Sequence, residues 1–246
     1  ALVALRVAAF MLAGGGGRAG AQAPTATPLP DLIVDGGREA LSGRHVFRQV
    51  IVRNRGRIEI LPYTGSADGG RLELVAERIE LDRTSTIVGD GNGYRGRRND
   101  SGEGPGGGEG GRLTVDGGGG GGHGGRGGDG VLDNVPEAGA RGGMAYGDVC
   151  SREIDRGSAG GAPGTADSSG STAQGANGGA VLVLEADTVV LAGSISVDGL
   201  DGDVSAVDAA GGGAGGGVLV MARDLTQTGR IDANGGAGAD EDDGGG

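Results

Sequence analysis

A chain of 246 residues with 62 glycines, two phenylalanines and no tryptophan has too few aromatic side chains to anchor a conventional core. Its net charge of −12, with every basic residue an arginine, excludes the basic footprint that a nucleic-acid partner requires. Hydrophobic residues still make up 36% of the chain and cluster in short runs, which argues against plain disorder.

Residues 1–21 read as a secretory signal peptide: an apolar run followed by small residues, with Ala19-Gly20-Ala21 as a cleavage site. The run is too short for a spanning helix, so no transmembrane segment is expected in the mature chain. Residues 22–41 follow as a linker and entry segment, opening on the Pro- and Thr-rich "APTATPLP". The chain lacks an initiating methionine and stops in "DEDDGGG", so both ends read as cut from a longer protein. Cys150 is the only cysteine, which excludes a disulfide framework within the chain.

From residue 42 to residue 246 the sequence repeats itself. Leu72, Leu74, Ala76 and Ile79 match Leu182, Leu184, Ala186 and Val189, and these match Val218, Val220, Ala222 and Leu225. Downstream, Gly193-x-Ile195-x-Val197-Asp198-Gly199 matches Gly229-x-Ile231-x-Ala233-Asn234-Gly235, and "GRLTVDG" (111–117) and "GRIEI" (56–60) are relatives. Apolar residues at every second position point to one face, and a unit of this size buries that face only by stacking on its neighbours. Asp-Gly and Asn-Gly pairs supply the corners between strands. The fold predicted is all-β, a parallel β-helix or β-solenoid with long glycine-rich loops. Its insert at 118–177 holds "GGGGGGHGGRGGDG" (117–130), where Gly-Gly-x recurs every three residues. Such a run can pack as helices of three residues per turn, but its shortness favours a mobile loop.

Chemistry is sparse. His45, His123 and Cys150 have no zinc-motif spacing, and without lysine no phosphate-binding loop exists. Asp187 and Arg223 occupy equivalent places in adjacent repeats and read as a cross-strand ion pair rather than a catalytic ladder. "GGAGADEDD" (235–243) is similar to the calcium-binding nonapeptide of RTX repeats, which makes Asp240, Asp242 and Asp243 the candidate metal ligands, for calcium. No catalytic residue and no other cofactor is expected.

On its "GG-x-L-x-L-x-A…I…G-x-I-x-A/V-D/N-G" units and glycine-rich insert, the chain resembles glycine-rich bacterial surface and exported proteins with β-helix-like repeats. The resemblance implies a secreted or cell-surface module without enzymatic activity, structural or adhesive, in contact with envelope or matrix components, polysaccharide, or other copies of itself. A calcium-dependent RTX-like binding module and a carbohydrate-active β-helix enzyme are the alternatives.

Overall fold

The structure is a computed structural model, and it describes residues 28–111, 117–132, 135–148, 151, 153–164, 174–203 and 209–239. Residues 1–21, read above as a signal peptide, Cys150 and the three aspartates proposed for calcium lie outside these residues. Thirteen strands follow in chain order. They are β1 (Asp31–Asp35), β2 (Arg38–Leu41), β3 (Gly43–Val46), β4 (Gln49–Arg53), β5 (Arg57–Ile60), β6 (Arg71–Leu81) and β7 (Thr86–Val88). After them come β8 (Val131–Leu132), β9 (Val135–Ala138), β10 (Val181–Leu191), β11 (Ser194–Ser196), β12 (Gly217–Gln227) and β13 (Arg230–Asp232). The entry segment thus supplies β1 and β2. No helix among the described residues is long and apolar enough to cross a membrane.

Two sheets are parallel throughout. The first runs β1-β4-β6-β10-β12, with β3 beside the front half of β6; the second runs β13-β11-β7-β5-β2. β8 and β9 form a separate antiparallel pair. Register follows the internal repeat: Leu72 pairs Leu182, which pairs Val218, and Ile79 pairs Val189, which pairs Leu225. Ile58, Ile87, Ile195 and Ile231 form the facing column of the second sheet. Alternation sends these side chains between the sheets, where Leu72, Leu74, Ile58, Leu182, Leu184 and Ile195 are all fully buried. Each contributes about 1.5–3 kcal/mol by leaving water. The columns open at their last members, since Leu225 is 54% exposed and Ile231 38%. Val181 and Val183, on the opposite parity, are buried as well. At that end of the sheet, Ile154 lies over the outer face and its carbonyl accepts a hydrogen bond from Arg71 Nη1 at 2.9 Å.

Corners are fixed by side chains. Asn54 and Arg55 turn the chain after β4 with φ of 55° and 65°, in the left-handed region that non-glycine residues seldom occupy. Asp82 holds this corner: it accepts from the Asn54 N–H at 2.8 Å and from the Thr84 N–H and hydroxyl, each at 2.9 Å. On the other side of the second sheet, Asp90 Oδ1 accepts the Asp198 N–H at 2.8 Å, and Asp198 in turn accepts from Asn234. The Asp-Gly and Asn-Gly corners expected from the repeat are therefore stacked and bonded to one another.

The prediction of an all-β β-helix or β-solenoid with glycine loops is corrected by the glycine tracts themselves. Among the described residues, strand pairing is confined to the two parallel sheets, the short β8–β9 pair and one isolated bridge between Arg98 and Gln174. The described glycine runs at 117–130, 157–162, 175–180 and 209–216 form a third body that is neither sheet nor loop. Gly117 and Gly120 donate to Val131 and Gly128; Gly118 and Gly121 donate to Ala209 and Gly212; Gly119 and Gly122 donate to Glu109 and Gly106. Successive peptide groups thus face three different neighbouring runs and return to the same one every third residue. This is the geometry of packed three-residue-per-turn helices. The pattern recurs at 157–162, where Gly157 and Gly160 donate to Gly179 and Ala176 while Ala159 and Ala162 donate to Glu103 and Asp100.

The physical reason is the missing Cβ. A Cβ on Gly160 would stand 2.0 Å from the Gly211 carbonyl oxygen, one on Gly119 2.1 Å from that of Arg141, and one on Gly96 1.5 Å from that of Gly175. Runs this close satisfy their peptide groups on one another in three directions, which a planar ladder cannot do.

Two predictions follow from this packing. Gly160→Ala should lower the denaturation free energy by at least about 1–3 kcal/mol through overpacking. Gly128→Ala, where a Cβ meets nothing within 4 Å, should leave the urea midpoint within about 0.5 kcal/mol of the parent. Burial opposes ionisation of Asp82, yet the neighbouring Ser85 hydroxyl and the hydrogen bonds from Asn54 and Thr84 hold its pKa at about 2 against an ordinary 3.8. The charged form stabilises the fold above the ordinary value, and that contribution is lost as pH falls through about 2. Thermal melts from pH 7 to pH 2 should therefore show an acid limb that Asp82→Asn flattens.

Candidate functional site

Where the glycine helices meet the start of β12, the surface sinks into a cleft of about 700 Å³. His123 and Tyr146 form one side, Ser151 with Glu153, Ile154 and Asp155 another, and the chain from Ala214 to Leu219 the floor. Each wall is held by backbone. The Tyr146 N–H donates to the His123 carbonyl at 3.0 Å, and the two rings pack at 4.8 Å between centroids. His123 Nδ1 lies 2.9 Å from the Gly215 carbonyl oxygen, which can only accept, so the ring proton sits on that nitrogen.

Beneath the rings runs a buried polar chain. The Gly106 N–H donates to Ser158 Oγ at 3.0 Å, Ser158 Oγ donates to the Tyr146 hydroxyl at 2.9 Å, and that hydroxyl donates to the Arg156 carbonyl. Burial pushes the Tyr146 phenol well above the ordinary tyrosine range. Arg156, itself buried, ties this wall to the sheets. Its Nε donates to the Gly69 carbonyl at 2.8 Å, and its guanidinium sits 4.8 Å from the Tyr63 ring centroid and 5.8 Å from that of Tyr94. Burial, and then the neighbouring Asp155 carboxylate, raises the Tyr94 phenol.

Charge in the cleft is predominantly acidic. Arg126 is matched outside it by Asp129, whose carboxyl is held low by the Gly142 N–H and by Arg126. Asp148, Glu153 and Asp155 line the cleft, and Glu153 is exposed and makes no ion pair among the described residues. The arrangement suits binding: its buried hydroxyls and the imidazole Nδ1–H are committed to holding the glycine runs in place.

The ion pair singled out from sequence falls elsewhere. Asp187 and Arg223 do come together, at 3.4 Å on the outer face, with side chains 66% and 80% exposed. They border a shallower groove of about 490 Å³ floored by Ala76, Ala186 and Ala222, which pair in register. So exposed a pair contributes at most about 1 kcal/mol. Among the described residues no cluster of three or more metal-ligating side chains forms. Sequence reasoning weighed His123 only as a zinc ligand and passed over Tyr146, Glu153, Asp155 and Arg156. Their one signal was the clustering of His, Tyr and carboxylates at breaks in otherwise featureless glycine.

Comparison of the chain with protein-family models, with curated proteins and with solved structures finds no match.

Removing the Tyr146 hydroxyl strands Ser158 Oγ and the Arg156 carbonyl in a buried place. Tyr146→Phe should therefore cost about 1–3 kcal/mol in urea denaturation. In an ultraviolet titration the parent-minus-variant difference should show a tyrosine that ionises above the ordinary range.

Proposed function

We propose that the chain is a non-enzymatic structural or adhesive module of the cell surface or extracellular matrix. The observation that carries this reading is the three-directional hydrogen bonding of the glycine runs. It converts the most flexible residue type into a scaffold in which each run is held by several others. Such a body resists local opening, since exposing one run breaks bonds to several neighbours at once. That suits an environment rich in proteases and poor in chaperones. The apolar leader-like start and the acidic, lysine-free composition support export of a soluble, repeat-bearing chain. The cleft adds an adhesive surface: acidic, open to solvent, and built on rigid elements.

Limited trypsinolysis tests the reading directly. Despite the many arginines, cleavage of the folded chain should be confined to a few exposed sites. Gly160→Ala, by loosening the bundle, should open further sites and shorten the half-life severalfold. Turnover of a polysaccharide panel, abolished by Glu153→Gln, would instead make the cleft an active site.

A further inference from the structure

The shallower groove lies on the face of the first sheet, so a strand added at either edge would lengthen it rather than cover it. It forms where the long strands turn a corner. Before the corner Leu72, Leu74, Leu182 and Leu184 are buried; after it Ile79, Leu81, Val189 and Leu191 are, so the buried parity shifts by one. The ladder skips one level at this shift, and that level holds Glu77, Asp187 and Arg223. Just before it stands the alanine column, whose methyl groups leave a flat apolar floor across β6, β10 and β12. Val46, 40% exposed, and the level of Val75, Glu185 and Met221 border that floor. An exposed apolar strip with a polar rim marks a binding surface.

The charges say what the floor takes. Asp187 is paired with Arg223, but Glu77 and Glu185 are exposed and make no ion pair among the described residues. Neighbouring arginines are spent elsewhere: Arg78 on Glu80, and Arg48, whose carbonyl accepts the Glu77 N–H, on Asp31. An acidic rim over an apolar floor calls for a cation carried on a flat or extended apolar body. A second copy of this chain does not supply one, since its net charge of −12 sets carboxylate against carboxylate. The groove is shallow and runs across the strands, which suits a polymer better than an enclosed small molecule. Equivalent positions recur every ~4.8 Å along it, close to the advance of one ring in an extended β-1,4-linked sugar chain. We propose that this groove binds a linear polysaccharide of β-1,4-linked amino sugars with free ammonium groups. The C–H faces of the rings lie on the alanine floor, and their ammonium groups meet Glu77 and Glu185. The inference rests on the reading of the chain as an adhesive module and names a ligand for it. A chain that proves rigid and protease-resistant yet takes no such polymer fails this inference alone.

The probe is a β-1,4-linked glucosamine hexamer labelled with fluorescein at its reducing end, used at about pH 5.5, where carboxylates are ionised and the sugar amines protonated. Fluorescence anisotropy against the full chain should show saturable binding that the fully N-acetylated hexamer does not share. Glu77→Gln and Glu185→Gln should each weaken binding about threefold and together about tenfold, the size expected of exposed charge pairs. Ala222→Arg sets bulk and positive charge on the floor and should eliminate binding. All three positions are exposed, so the urea midpoint should stay at the parent value. Glu153→Gln, in the cleft, controls for the general pull of an acidic protein on a cationic polymer and should leave binding unchanged. Absence of saturable binding, equal binding of the N-acetylated hexamer, or indifference to the Glu77 and Glu185 changes overturns the proposal. A loss at Glu153→Gln as large as at Glu77→Gln also overturns it, by assigning the binding to the cleft or to bulk charge. Displacement by an acyclic tetraamine as efficient as by unlabelled hexamer overturns it too, by giving the groove to a cation without sugar rings.

Discussion

Everything in this molecule depends on how closely two backbones can approach when neither carries a Cβ. At the contacts between glycine runs, a methyl group would stand about an atom's radius from a carbonyl oxygen, as at Gly160 and Gly211. Where that space is left empty, each run finds hydrogen-bond partners on several sides. Glycine is ordinarily costly to order, because its unfolded chain explores more conformations than any other residue. Here the cost is offset by density: peptide groups that would otherwise hydrate are satisfied on one another in a body with almost no side chains. The two sheets then need only a thin layer of Leu, Ile and Val between them.

The sheets and the glycine body are not independent. Two of the three long strands of the repeat emerge from a glycine run: 175–180 leads into β10 and 211–216 into β12. The bonds that place those runs also place the strands. Gly179 donates to Ala214 and Ala180 to Gly89, so the spacing of the glycine helices is handed on to the ladder. Arg156 closes the joint from the other side, its guanidinium beside two tyrosine rings and its Nε on the Gly69 carbonyl at the front of β6. Carboxylates at the corners complete the frame, with Asp82 on one side and the Asp90–Asp198–Asn234 stack on the other.

Legibility in the sequence followed side-chain information. The columns Leu72–Leu182–Val218 and Ile79–Val189–Leu225 could be read directly, because each apolar residue marks both its face and its register. The Asp187–Arg223 pair was legible for the same reason. The glycine tracts were not, since a glycine carries no mark of which way it points, and one sequence serves a mobile loop or a packed helix. Only the period of three between 117 and 130 hinted at the second, and choosing it requires the partners near 106, 128 and 209. Nothing local to the run names them. The cleft was hidden for a related reason: His123 is placed by the carbonyl of Gly215 and Tyr146 by Ser158 and Arg156, contacts that span up to 92 residues.

The return of each glycine run to the same neighbour every third residue sets a rule for how such a gene can change length. Gaining or losing one full turn leaves every later peptide group aimed at its old partner. Gaining or losing a single residue rotates all of them by a third of a revolution, toward runs with which they are out of step. Alleles should drift in steps of three glycines, with the ends of the runs, and not their middles, absorbing whatever falls between.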